Sequence, residues 1–139
     1  IKLVLKHGVM GHGGAALGEI KRDGRPRDLS QVRGEGFTGT DVLAVTVINI
    51  GRAPVVIERY SVVLEGAGLS FTPMGDAIGA SLPHELQPGR SETWYAEMES
   101  VRALVKSAEA IDVHGHAISM TVELGTGQTK KTPTNLRVL

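Results

Sequence analysis

Residues 43 to 57 read Leu-Ala-Val-Thr-Val-Ile-Asn-Ile-Gly-Arg-Ala-Pro-Val-Val-Ile. Two β-branched runs flank a break at Asn49, Gly51 and Pro54; the runs suit a pleated, half-buried surface and the break holds residues that turn a chain. The pattern predicts a strand, a tight turn and a second strand. Two later stretches extend the theme. Trp94, Ala96 and Met98 alternate with Thr93, Tyr95 and Glu97, and Ile118, Met120, Val122 and Leu124 alternate with Ser119, Thr121 and Glu123.

Elsewhere the signals are more local. Ile1, Leu3 and Leu5 alternate with Lys2 and Lys6 as a short strand would. From residue 7 to 41 the period vanishes among nine glycines, so this stretch is expected to be an arm, a binding loop or a disordered insert, with Asp23-Gly24 as a possible hairpin turn. Tyr60, Val62 and Leu64 continue the apolar series of Val55 and Ile57 with opposite parity, which one extra residue near Glu58 and Arg59 would reconcile. Leu69, Phe71 and Met74 mark a short crossing segment, and residues 75 to 90 are irregular up to the turn Leu86-Gln87-Pro88-Gly89-Arg90-Ser91. Ser100 is expected to cap a helix over 100–109, whose Val101, Leu104, Val105 and Ala108 share one face. Gly125-Thr126-Gly127 turns the chain into a hairpin over Gln128 to Thr132, and Leu136 to Leu139 add an edge segment.

The whole suits an all-β, two-sheet sandwich of about seven strands, with one short helix and a long N-terminal arm. At 139 residues the chain is expected to form one domain over 1–139, with 7–41 inserted as the arm. Fifteen basic and fifteen acidic residues cancel, which removes the long-range attraction that nucleic acid or an anionic membrane would reward. Without cysteine there is no disulfide framework, thiolate metal site or cysteine nucleophile. No apolar run reaches the roughly 20 residues of a membrane-spanning helix. The start at Ile1 suggests a processed or trimmed product.

The run Val45 to Ile57, followed about thirty residues on by Leu86-Gln87-Pro88-Gly89-Arg90-Ser91, resembles bacterial and phage immunoglobulin-like β-sandwich modules. In those modules an Asn-x-Gly turn joins two core strands and a Pro-Gly-x-Ser turn opens a later one. The likeness covers residues 42 to 98 and extends by strand pattern to the end. The helix near 100–109, the stretch at 7–41 and the lack of a cysteine pair depart from it. It implies an immunoglobulin-like fold and an accessory role in a surface, adhesion, virion or cell-envelope assembly, and carries over no site residue.

Candidate chemistry is sparse. His7 and His12 form one pair, and His114 and His116 another whose spacing on a strand aims both rings to one side; with Met10 or Met120 such a set suits copper, and the imidazoles alone suit zinc. The glycine-rich run from His7 to Gly14 lacks the Gly-Lys-Ser/Thr ending of a phosphate-binding loop. No serine sits in a Gly-x-Ser-x-Gly elbow, and the carboxylates are scattered, so a hydrolytic enzyme is the weakest reading. Lys21, Arg22, Arg25, Arg27 and Arg33 are interleaved with Glu19, Asp23, Asp28 and Glu35, a mixed-sign pattern that suits a polar contact with another protein chain better than nucleic acid. The expected function is therefore a non-enzymatic structural or interaction module that self-associates or docks on a larger assembly, without a cofactor. A metal-binding sandwich is the alternative.

Overall fold

The computed structural model describes residues 1–11, 14–73, 78–113 and 117–138. It is mostly β, with 47% strand and 14% helix, arranged as two sheets and two helices in the manner of an all-β sandwich. The elements run β1 (Lys2–Gly11), β2 (Gly14–Glu19), α1 (Ser30–Gly34), β3 (Asp41–Ile48), β4 (Val55–Leu64) and β5 (Leu69–Phe71), then β6 (His84–Leu86), β7 (Ser91–Glu97), α2 (Met98–Ala110), β8 (Ala117–Leu124), β9 (Thr129–Lys131) and β10 (Leu136–Arg137). One sheet has the order β2-β1-β3-β7. The other has the order β10-β8-β4-β5, with β6 also on β4 and β9 on β8. The described residues thus hold ten strands rather than about seven, the added ones being short or glycine-rich.

The strand-turn-strand at 43–57 is a crossover between sheets. β3 pairs with β1 and β7, whereas β4 pairs with β5, β6 and β8. Asn49, fully buried, holds the bend. Its Nδ2 donates to the carbonyls of Ala53 and Leu86, both at 2.9 Å, and its Oδ1 accepts the Gly51 N–H at 3.0 Å. Its backbone N–H reaches the Arg90 carbonyl and its own carbonyl accepts the Gly89 N–H. Gln87 to Arg90 is a type II turn: Gly89 has φ +78°, and the Arg90 N–H returns to the Gln87 carbonyl. The two turn motifs that stand far apart in sequence are therefore one hydrogen-bonded unit.

Between the sheets lies a single apolar cluster, in which Leu3, Leu5, Leu43, Val45 and Trp94 from one sheet meet Ile57, Tyr60, Val62, Ile118 and Met120 from the other. The buried polar tips are satisfied: Trp94 Nε1 donates to the Ala80 carbonyl at 2.9 Å, and the Tyr60 hydroxyl to the Tyr95 carbonyl at 2.7 Å. Burial pushes the Tyr60 hydroxyl up to about 12. The register of β4 against β8 slips between Ile57 and Arg59, so Glu58 is the extra residue that the parity change requires.

Several expectations are corrected. The helix starts at Met98, directly after an extended Glu97, and no side chain caps it. Met98, Val101, Val105 and Ala108 are its buried positions, so the pull of Met98 into the core starts the helix ahead of Ser100, which is exposed. Leu69 and Phe71 form no crossing; β5 folds back on β4 as a hairpin. Residue Met74 lies outside the described residues.

The largest correction concerns 7–41, which is not an arm. β1 continues to Gly11, β2 pairs along it, Ile20 is wholly buried in the core cluster, and Arg137 N–H bonds the Gly24 carbonyl. Lys21 to Gly24 is a turn, with Gly24 at φ +70°, but it joins no strand pair. The glycines that hide the period are required by close approach. A Cβ on Gly8 would meet the Ala16 carbonyl, and one on Gly39 the Met10 carbonyl.

Two substitutions test these contacts. Asn49→Ala leaves two buried carbonyls without a donor and is expected to cost about 2–4 kcal/mol, read as a lower urea midpoint at unchanged slope. Gly8→Ala is expected to cost about 1–3 kcal/mol by forcing β2 off β1, read as loss of hydrogen-exchange protection confined to β1 and β2.

Candidate functional site

His7 sits on the core face of β1 near one end of the sandwich, only 3% exposed. Its Nδ1 accepts the Arg27 backbone N–H at 3.1 Å, so the ring proton is on Nε2, which faces Asp41 Oδ2 at 3.4 Å. Arg102 of α2 holds the same carboxylate, with one N–H at 2.7 Å and a second at 3.5 Å. β1, β3, α2 and the irregular segment at 25–28 thus converge on one imidazole. Beside it His7, Pro26, Met98, Arg102, Leu136, Arg137 and Val138 line a cavity of about 240 Å³.

Both His7 nitrogens are engaged, so in this arrangement the ring acts as a strut, fastening residue 27 to β1. Burial lowers its pKa; Asp41 opposes that, while Arg102 and Arg27 add to it. Burial raises the Asp41 carboxyl, but Arg102 and His7 outweigh this and hold it below its ordinary value. Of the other histidines in the metal reading, His12, His114 and His116 lie outside the described residues. Among the described residues, no three His, Asp or Glu side chains gather as a metal would need.

The basic residues divide. Lys21, Arg25 and Arg27, with Glu19, Asp23, Asp28, Pro26 and Gln31, line an open hollow of about 440 Å³. Arg22 is exposed in the turn just before it, and Arg33 instead bonds the Gly39 carbonyl at 3.0 Å from α1. Two of the acids serve the backbone: Asp23 accepts the Arg25 N–H, and Asp28 accepts the N–H and hydroxyl of Ser30. The Arg27 side chain fills the place where Gly18 lacks a Cβ, which brings the rim of this hollow onto β2.

β2 itself is the feature that sequence reasoning missed. It forms the outer edge of its sheet, and among the described residues no strand pairs with its far side. Gly-Ala-Ala-Leu-Gly-Glu offers neither proline nor lysine nor inward charge to blunt that edge. Asp41 and Arg102 also went unnoticed, since they lie far from His7 in sequence and only folding unites them.

His7 gives a pH signature. Its folded pKa lies below the value of the unfolded chain, so the unfolded state takes up the proton first, and stability falls as pH drops through about 6.5 toward the lowered value. Asp41, whose folded pKa is depressed, adds a second loss at more acid pH. Urea midpoints between pH 7.5 and 5 are expected to decline in the wild type, and the His7→Gln chain to lack the component near neutrality whatever its absolute stability; parallel profiles would contradict this. No protein-family model, curated protein or solved structure matches the chain, so the chemistry of the site rests on its own residues.

Proposed function

We propose that this chain is a non-enzymatic interaction module of a larger assembly, which takes up a strand from another protein chain along the edge of β2. The observation that carries the reading is that edge: six residues, a single charge at its end, paired on one side only among the described residues. Strand addition draws its affinity from main-chain hydrogen bonds and so needs little from side chains, which matches a strand made of glycine, alanine and leucine. The mixed charges at 19–28 flank the edge and can fix the orientation of what binds there. Immunoglobulin-like wiring fits the strand order, because β1-β3-β7 opposite β4-β8-β10 follows the A-B-E and C-F-G orders of such sandwiches. A virion or cell envelope is the setting that the sequence resemblance implies.

A displayed random-peptide library selected on the immobilised protein tests the reading. Enriched peptides are expected to protect the Ala15, Leu17 and Glu19 amides from hydrogen exchange and to bind Ala15→Pro at least tenfold more weakly. A selection that enriches nothing, or peptides indifferent to Ala15→Pro, would sink it.

A further inference from the structure

We infer that the strand taken up by β2 is the β2 of a second copy of this chain, joined about a two-fold axis at Leu17; this rests on the reading of β2 as a binding edge. The direction in which each backbone group points can be derived. The β1–β2 register runs without a slip from Gly11↔Gly14 to Lys6↔Glu19, and beyond it the Ile20 N–H donates to the Leu5 carbonyl at 2.9 Å. In an antiparallel ladder the N–H and C=O of alternate residues face the same neighbour. Ile20, Gly18, Ala16 and Gly14 therefore face β1, and Glu19, Leu17 and Ala15 face outward. The other side of β1 agrees, since the Met10 N–H bonds the Thr40 carbonyl on the β3 side, which leaves the odd-numbered residues of β1 turned to β2.

Three outward residues at a spacing of two are self-complementary. With an axis at Leu17, Leu17 meets Leu17 of the second copy and each Ala15 meets Glu19 of the other, so every outward N–H finds a C=O. The side chains allow it. Leu17 stands opposite Gly8, on the face away from His7 and Val9, so its counterpart on β1 carries no side chain to crowd a second leucine. Charge selects this register as well: the two Glu19 carboxylates lie at opposite ends, four residues or roughly 14 Å apart along the strand, beyond the screening length of physiological salt. A parallel pairing would set them side by side.

The result is a closed, isologous contact that fuses two four-stranded sheets into one of eight. It stops at two copies, because the far edge of the same sheet, β7, is already bridged: the Tyr95 N–H bonds the Ile78 carbonyl at 3.0 Å. One pair of six-residue edges buries less than the roughly 1,200–2,000 Å² of a standard interface, so the dimer is reversible and concentration-dependent.

The natural lack of cysteine makes the test clean. Across a hydrogen-bonded antiparallel pair the Cα atoms are about 5.5 Å apart, within disulfide reach. Leu17→Cys is expected to cross-link under mild oxidation at least about tenfold faster than Ser70→Cys, an exposed control on β5. Sedimentation equilibrium is expected to show the wild type dimerising as concentration rises. Ala15→Pro, which removes an outward N–H and none that faces β1, is expected to weaken this at least about tenfold with an unchanged circular dichroism spectrum. Leu17→Lys, which sets two ammonium groups face to face, repeats the loss without altering the backbone. A wild type that stays monomeric at every concentration, equal cross-linking at positions 17 and 70, or a dimer indifferent to both substitutions overturns the inference. If selected peptides still protect the Ala15, Leu17 and Glu19 amides in that case, only the identity of the partner falls; if they do not, the binding edge falls with it.

Discussion

One buried amide holds the two sheets in register. Asn49 spends its whole hydrogen-bonding capacity on backbone: its side chain on residues 51, 53 and 86, its main chain on residues 89 and 90. A backbone that leaves one sheet for the other gives up its ladder partners, and the groups it frees in a dry interior must be paired by something else. A side chain with two donors and an acceptor on a short stem is suited to that task, since serine has one donor and leucine none. Because β3 and β6 enter this knot and β4 and β7 leave it, the contact of Trp94 with Tyr60 between the sheets depends on it; their ring centroids lie 6.3 Å apart.

The opposite end of the sandwich is closed by charge. β3 begins there with Asp41 and ends at the knot with Ile48 just before Asn49, so a single strand connects a hydrogen-bonded amide to an ionic cluster. The two closures differ in kind. Asn49 has no titratable group, so its contribution does not vary with pH. His7 and Asp41 do titrate, and acid weakens the contribution of both in the same direction. The Arg102 to Asp41 contact reaches solvent and contributes little by itself; its role is to keep the carboxylate ionised beside the imidazole.

The parts of the fold that could be read from sequence are those whose side chains do the work. β7 and β8 alternate large apolar and polar residues, β3 and β4 are rich in β-branched residues, and even the bulge at Glu58 shows as a change of parity, because a face buried against a core leaves no freedom of register. β1 beyond Lys6 and all of β2 could not be read that way. There Gly8 makes room for the Ala16 carbonyl, Gly11 for the Phe37 ring and Gly18 for the Arg27 side chain, and these glycines are also those that weaken a strand signal. The same glycines that suggested a loose arm are what lets the hairpin lie so close. The charged residues at 21–28 were visible as a cluster, but their use was not: Asp23 and Asp28 are consumed by local turns, and Arg27 matters as much for its backbone N–H as for its charge.

Arg27 ties the interior to the edge. Its N–H ends on the buried His7 ring, while its exposed side chain lies over Gly18 of the edge strand β2. The imidazole acts as acceptor for that N–H only while Nδ1 is unprotonated. Residue 27 of the mixed-charge rim is therefore held beside β2 by a bond that has a titratable acceptor, whereas the edge strand itself is held by the β1 ladder and by Ile20 in the core. It follows that rim and edge are separable in principle. Loss of the His7 bond releases residue 27 while the Gly24–Arg137 bond and the outward backbone groups of β2 stay in place, so under the proposed reading orientation and affinity would rest on different interactions.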